Sequence, residues 1–248
     1  MSSRVSFRDV SFRLGQRDIV SRLSLDIEAG GTTVFLGRNG SGKTTALKMI
    51  NGLLFPTGGE VLVDGQATTR WDPIQLRRRI GYVIQEGGLF PHFTVAENVA
   101  LIPRLQGWEG EQVRQRVADL LDLFGLPYGQ FAARYPRELS GGQRQRVGIA
   151  RALAAGPTLL LFDEPFDALD LVTRLDLQRK FLAWRRRDGK TSVLVTHDVR
   201  EALTLGTHIV LLCNGTLELQ ATPSEFQQSR SEEAQAFLAC LNPTHQAT

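Results

Sequence analysis

Cysteine is nearly missing from this chain of 248 residues, which carries only Cys213 and Cys240. Their separation matches no metal-ligand spacing, and two thiols make no disulfide framework. A disulfide-stapled secreted module is therefore excluded, and a reducing compartment is expected. Long hydrophobic runs are missing too: nothing approaches the ~18 apolar residues that a membrane-crossing helix needs. The opening Met1-Ser2-Ser3-Arg4-Val5-Ser6 has no apolar targeting region. Charge of one sign is not in excess either, since the net charge of +3 is too small to argue for nucleic acid by itself. There is no internal repeat, low-complexity tract or long linker. An ordinary globular composition remains, at a length suited to one large α/β domain or two small ones sharing a core. The expected location is cytosolic, with any attachment to a membrane made through a partner.

Against these absences one stretch stands out, Gly37-Arg38-Asn39-Gly40-Ser41-Gly42-Lys43-Thr44. It has a glycine, four residues, then Gly-Lys-Thr, between an apolar run (Thr33 to Leu36) and a helix-like segment (Ala46 to Ile50). Gly37, Gly40 and Gly42 let the backbone turn tightly and aim its N–H groups at a polyphosphate. The following helix adds the positive end of its dipole. Lys43 supplies a point charge toward the β- and γ-phosphates, and the Thr44 hydroxyl can ligate Mg²⁺. A site for a nucleoside triphosphate is expected here.

Period-two alternation predicts strands through Val5, Phe7, Val10 and Phe12, then Leu23, Leu25 and Ile27, with turns at Gly15 and Gly30-Gly31. Gly58 to Gly65 reads as a short strand ending in an Asp-Gly hairpin turn, so the early strands form an antiparallel flank. Ile80 to Ile84 is a further strand. Thr94 to Glu97 is a capping box opening a short helix. A second helix from about Glu109 places Val113, Val117, Leu120, Leu121 and Phe124 on one face. A third, from about Ser140, stops at Gly156-Pro157. Thr158 to Phe162 is an unalternated apolar run, as in a strand covered on both faces. After a helix from about 171 to 187, which ends in Arg185-Arg186-Arg187, Ser192 to Val195 and His208 to Leu212 read as core strands. Asn214-Gly215 is a hairpin turn, and two short amphipathic segments close the chain.

Asp163-Glu164 lies at the end of the buried run, where open parallel sheets place their ligands. An acidic residue there can hold Mg²⁺ through water and its neighbour can activate an attacking water; a plain acidic cap is the alternative. Leu139 to Arg146 combines a capping box, Ser140 with Gln143, and two glycines in the first helical turn. Each interior helix glycine costs about 1 kcal/mol relative to alanine, which hints at something approaching that backbone closely. A second phosphate contact and a simple cap both remain open on this ground. For His197 the alternative is a polar residue capping the next helix.

With Gly37–Thr44, Leu139–Arg146 and Asp163-Glu164-Pro165 in this order and spacing, the chain resembles the ATP-binding cassette (ABC) ATPase family over essentially its whole length. Leu139-Ser140-Gly141-Gly142-Gln143 matches the family's own signature. Residues Ile80 to Val99 look like those of a bacterial importer subunit, and Ala100 to Trp108 are similar to the branch serving glycine betaine, choline and other osmoprotectants. The resemblance implies an α/β fold: a P-loop NTPase (RecA-like) core with an N-terminal antiparallel β flank and an inserted α-helical subdomain. On that reading 1–85 and 158–248 form the core, 86–157 form the helical subdomain, and no C-terminal regulatory domain follows.

The resemblance also implies roles. ATP and Mg²⁺ are the expected cofactors, with Gly37, Arg38, Asn39, Gly40, Ser41, Gly42, Lys43, Thr44 and Thr45 on the nucleotide. Thr44, Gln85 and Asp163 would hold the metal, Gln85 also reaching the attacking water. Glu164 would be the general base, and His197 would contact the γ-phosphate. Ser140, Gly141, Gly142 and Gln143 would contact ATP held by the other subunit of a head-to-tail homodimer, and Ala168-Leu169-Asp170 would cross the dimer interface. Residues 86–108, with Phe90, Phe93 and Trp108 reading as exposed, would receive a short helix of one of two transmembrane permease subunits. A substrate-binding protein would act indirectly, and the chain would sit peripherally on the cytoplasmic face of the membrane. Nucleic acid is not expected, and Arg77-Arg78-Arg79 reads as a solvated helix face.

Two departures from the family pattern matter. Leu14 stands where relatives carry an aromatic that stacks on adenine, with Phe12 two residues back at a position that is usually core; weaker stacking and looser base selectivity are expected. Phe166-Asp167-Ala168 and Leu171 stand where importer relatives usually show glycine and proline. Other importers (for amino acids), exporters, and a soluble ABC ATPase acting on nucleic acid or ribosomes are the alternatives.

Overall fold

Two hairpins and a set of buried strands account for most of the architecture. The computed structural model describes residues 3–85, 88–167 and 169–241, with the side chains of 186–188 outside that description. In chain order, β1 (Val5–Leu14), β2 (Arg17–Ile27) and β3 (Thr32–Leu36) lead into α1 (Lys43–Ile50). Next come β4 (Gly58–Val63), β5 (Gln66–Ala67), α2 (Pro73–Arg79) and β6 (Ile80–Val83). Helices α3 (Val95–Leu105), α4 (Gly110–Leu123), α5 (Tyr128–Phe131) and α6 (Gly141–Leu153) precede β7 (Leu159–Asp163) and α7 (Leu171–Asp188). The chain continues through β8 (Thr191–Thr196), α8 (Val199–Leu205), β9 (His208–Cys213), β10 (Thr216–Ala221), α9 (Pro223–Gln227) and α10 (Glu232–Ala239). The chain divides into two compact units, one made of residues up to Leu76 together with those from Thr191, the other of Arg77–Lys190.

In the first unit β1 pairs antiparallel with β2 and with β4, and β4 turns at Asp64-Gly65 into β5. This is the flank that alternation predicted: Val5, Phe7, Val10, Leu23, Leu25 and Ile27 are all buried. The second sheet of this unit sets β3 parallel to both β8 and β9, with Phe35 opposite Val195 and Val210. All five residues of β3 and all six of β8 are buried. A parallel strand covered on both faces needs no polar alternation, which is why these runs read as continuous apolar stretches. β9 and β10 form an antiparallel hairpin through Asn214 and Gly215, both with positive φ (47° and 81°), as a type I′ turn requires. The two sheets meet where Phe7 packs edge-on to Phe35, ring centroids 6.3 Å apart.

In the second unit β6 runs parallel to β7, Tyr82 opposite Leu161. Helices α3, α4 and α6 pack on one another, and α6 covers β6. The approach is close: a methyl on Gly81 of β6 would lie 2.3 Å from the Ala152 carbonyl oxygen of α6. The predicted apolar face of α4 is buried, and Phe124 closes it. Phe162 of β7 meets Phe181 of α7 edge-on at 5.2 Å. Leu14 at the tip of the first hairpin is exposed, and Phe12 is half-buried rather than core, because β1 leaves the sheet's covered face beyond Val10.

Candidate active site

The loop between β3 and α1 is shaped by contacts that exclude side chains. A methyl on Gly37 would stand 2.4 Å from the Leu212 carbonyl oxygen of β9 and 2.5 Å from Ser41 Oγ. Gly42 holds φ 95° and ψ 0° as the N-cap of α1, and a methyl there would lie 2.8 Å from the Ile19 carbonyl oxygen of β2. Only glycine adopts that conformation at no steric cost, and only glycine fits beneath β2. Because the cap is glycine, α1 has no side-chain cap, unlike α3, α6, α7, α8, α9 and α10. The first N–H groups of any helix lack intrahelical acceptors, so this end presents donors and the positive end of a dipole.

Lys43 turns back into the loop. Its ammonium donates to the carbonyl oxygens of Gly37 (2.7 Å) and Arg38 (2.9 Å), and the residue is only 4% exposed. Ser41 Oγ is buried with no hydrogen-bond partner among the described residues. Thr44 and Thr45 are half-buried on the first turn of α1, while Arg38, Asn39 and Gly40 are exposed. A polyphosphate fits this cradle: it would satisfy uncapped N–H groups, meet a preset ammonium and give Ser41 a partner.

In the second unit the buried end of β7 delivers Asp163, 5% exposed, and the Tyr82 hydroxyl donates to its Oδ2 at 3.3 Å. Burial, and then the neighbouring Asp163 charge, push the Tyr82 hydroxyl far above its ordinary pKa, so it stays a donor. Glu164 follows in the left-handed region (φ 46°), a conformation that costs a non-glycine residue roughly 1–3 kcal/mol and clusters at functional sites. Gln85 Nε2 donates to Glu164 Oε2 at 3.3 Å. Neither acid caps a helix, since α7 is capped by Asp170, whose carboxylate accepts from Thr173 N. The Thr173 hydroxyl first, and then its backbone N–H, hold the Asp170 carboxyl below its ordinary pKa. Asp163 and Gln85 offer oxygen ligands, the chemistry that suits Mg²⁺.

Ser140 and Gln143 form the predicted capping box of α6. The two glycines behind them differ. Gly142 is approached by the chain itself, Thr173 Cγ2 standing 3.0 Å from a methyl placed there, whereas nothing beyond the tip of Arg144 lies near Gly141. The close approach inferred for both is internal at Gly142, and only Gly141 opens outward. His197 is exposed after β8 and does not cap α8; Asp198 does, accepting from Arg200 N.

Of the three aromatics expected to be exposed in residues 86–108, only Phe90 is. Phe90 is 45% exposed, but Trp108 is half-buried, and so is Phe93, where Asn98, itself fully buried, ties the loop down. Its Nδ2 donates to the Phe90, Phe93 and Thr94 carbonyls, and its Oδ1 accepts from Phe90 N. Arg151 adds a bond to the Gly88 carbonyl. Beside this loop lies a cavity of about 270 Å³ lined by Arg77, Arg78, Tyr82, Phe90, Leu101 and Arg151 among others. Glu86 and Gly87, Ala168 at the expected dimer interface, and the side chains of Arg186 and Arg187 lie outside the described residues.

A family model described as ABC transporter matches residues 20–167, well over half of the chain. This chain belongs to the ABC transporter family. It is homologous to ATP-binding proteins of osmoprotectant import. It is 46% identical over 88% of its length to the glycine betaine/carnitine/choline transport ATP-binding protein OpuCA of Bacillus subtilis, 57% of which is covered. It is 45% identical over 86% of its length to the osmoprotectant import ATP-binding protein OsmV of Salmonella typhimurium, 56% of which is covered. The glycine betaine uptake system ATP-binding protein YehX of Escherichia coli is 47% identical over 88% of this chain, with 71% of that protein covered. The chain thus spans little more than half the length of the first two relatives. Among solved structures, the dimeric ATP-binding cassette MJ0796 bound to ADP and Pi is 35% identical with a TM-score of 0.80, covering 88% of this chain and 98% of that one. The α/β fold is that of an ABC ATPase cassette, with the expected core, β flank and helical region.

Proposed function

We propose that this chain is the ATP-hydrolysing subunit of an import transporter that takes up osmoprotectant quaternary amines. The observation that carries the ATP reading is the loop 37–44, an uncapped helix end closed over by a buried lysine. The substrate class is supported by the relatives named above, which are ATP-binding proteins of glycine betaine/carnitine/choline transport, osmoprotectant import and glycine betaine uptake.

The roles divide by chemistry. Lys43 and the N–H groups of the loop, with Ser41, Thr44 and Thr45, receive the phosphates. Asp163, Thr44 and Gln85 would hold Mg²⁺, whose charge would offset that of the β- and γ-phosphates. Glu164 takes the proton of the attacking water, held in place by its backbone and by Gln85, and His197 contacts the γ-phosphate. Ser140, Gly141, Gly142 and Gln143 engage ATP bound by a second subunit, and Asp170 lies at the interface of that head-to-tail dimer. A dimeric relative of the same fold supports this arrangement. Among the described residues no helix is long and apolar enough to cross a membrane. Attachment at the cytoplasmic face would run through two permease subunits on the Phe90 loop, with a substrate-binding protein acting from the far side.

Gly141→Ala tests the dimer role. A methyl there meets only the tip of Arg144, at an ordinary contact distance of 3.9 Å, so thermal stability stays within about 1 kcal/mol of wild type. ATP-dependent dimerisation in an ultracentrifuge and steady-state hydrolysis both fall more than about tenfold. Unchanged hydrolysis would remove Gly141 from the nucleotide site. The transport reading is checked on the complex isolated with its membrane partners. ATP turnover rises several-fold when a quaternary amine is delivered by the substrate-binding protein. A rate indifferent to every solute, with no membrane protein copurifying, would sink the transport assignment and leave the ATPase standing.

A further inference from the structure

The phosphate loop is held from outside by the C-terminal helix. Arg38, second residue of the loop, makes a two-point ion pair with Glu233 in the first turn of α10: Nε to Oε1 at 2.6 Å and Nη2 to Oε2 at 3.2 Å. The Glu233 side chain is 18% exposed and that of Arg38 70%, so a nearly buried carboxylate grips a solvent-facing guanidinium. Arg38 also matters through its backbone, because its carbonyl oxygen accepts from Lys43 Nζ at 2.9 Å and from Ser41 N at 3.2 Å. The residue that Glu233 fixes is thus the one on which the lysine and the turn of the loop both rest.

Glu233 is in turn well anchored. Ala234 beside it is fully buried. Ser231 caps α10, accepting from Ala234 N, and donates its hydroxyl to Glu218 of β10 at 2.7 Å. A connected path therefore runs from β10 through Ser231 and α10 to Arg38 and on to Lys43. Two parallel N–H···O bonds define an orientation as well as an attraction, which a lysine or a single bond would not.

We propose that Glu233 is a positioning residue for the nucleotide site: through Arg38 it holds the loop in the conformation that receives the phosphates, so α10 tunes affinity for ATP. This rests on the phosphate-loop reading given above. Because the guanidinium faces water, the hold weakens as salt screens it, over a Debye length of about 10 Å at 0.1 M ionic strength.

The test measures ATP affinity calorimetrically and steady-state kinetics on the full chain with its membrane partners, for wild type, E233Q, E233D and E232Q. E232Q removes a charge of the same sign from the same helical turn. At low salt, E233Q is expected to weaken ATP binding and raise KM about three- to fivefold with kcat unchanged. E233D recovers part of the loss, and E232Q stays within about twofold of wild type. Raising the salt narrows the gap between wild type and E233Q. Unchanged or tighter binding in E233Q, an equal effect from E232Q, or a fall in kcat alone would overturn the positioning role. Failure of the wild type to bind ATP at all would instead overturn the nucleotide reading, and the two failures are separate results.

Discussion

Glu164→Gln is expected to stop ATP turnover while leaving ATP binding in place. Glutamine keeps the shape of the side chain and still offers an oxygen to Gln85 Nε2, which lies 3.3 Å from Glu164 Oε2 in the native protein. What it loses is the ability to accept a proton from the attacking water. General-base catalysis contributes typically ~10²–10⁴-fold, so kcat falls by that factor and the affinity for ATP stays within about threefold of wild type. The left-handed backbone at Glu164 makes the experiment specific. Glutamine adopts that φ no more and no less readily than glutamate, so stability is held constant and chemistry alone changes. Single-turnover hydrolysis and equilibrium binding read the two quantities separately. Turnover within tenfold of wild type would show that the base lies elsewhere.

Lys43→Ala is expected to have the opposite profile, in which binding fails first. The ammonium bridges the Gly37 and Arg38 carbonyl oxygens at 2.7 Å and 2.9 Å, so its removal takes a charged donor from each as well as deleting the charge that meets the phosphates. Hydrogen bonds to charged groups are worth about 1.5–3 kcal/mol each, so ATP affinity drops by roughly 10²-fold or more. Because the residue is buried, the variant also tests whether the loop folds without it. Circular dichroism and the melting temperature report on that independently of nucleotide. Native stability with lost binding is the expected pair of results. Affinity within threefold of wild type would remove Lys43 from the site.

Much of the local structure was legible because it is written in short-range chemistry. Asp64-Gly65 and Asn214-Gly215 announce hairpins since few residue pairs tolerate two successive positive φ angles. Thr94 with Glu97 and Ser140 with Gln143 announce helix starts because cap and partner are three residues apart. The phosphate loop was legible for the same reason, its glycines, lysine and threonine being consecutive. Burial of individual aromatics was harder. Phe93 reads as exposed beside Phe90, but Asn98 pulls its loop down by four hydrogen bonds that no alternation pattern encodes.

Sequence alone was enough to locate the glycine loop ahead of α1, the Asp163-Glu164 pair at the end of β7 and the capped start of α6. It did so because each is a run of neighbours whose spacing matches the geometry of a turn, a strand end or a helix start. What holds these stretches in place is set by long-range contacts. Tyr82 reaches Asp163 across 81 positions of chain, and Arg38 reaches Glu233 across 195. The asymmetry of Gly141 and Gly142 is set by Thr173, which α7 brings alongside. Such pairs depend on strand register and on where a helix docks, and those are settled by the packing of the whole core rather than by any window of the sequence.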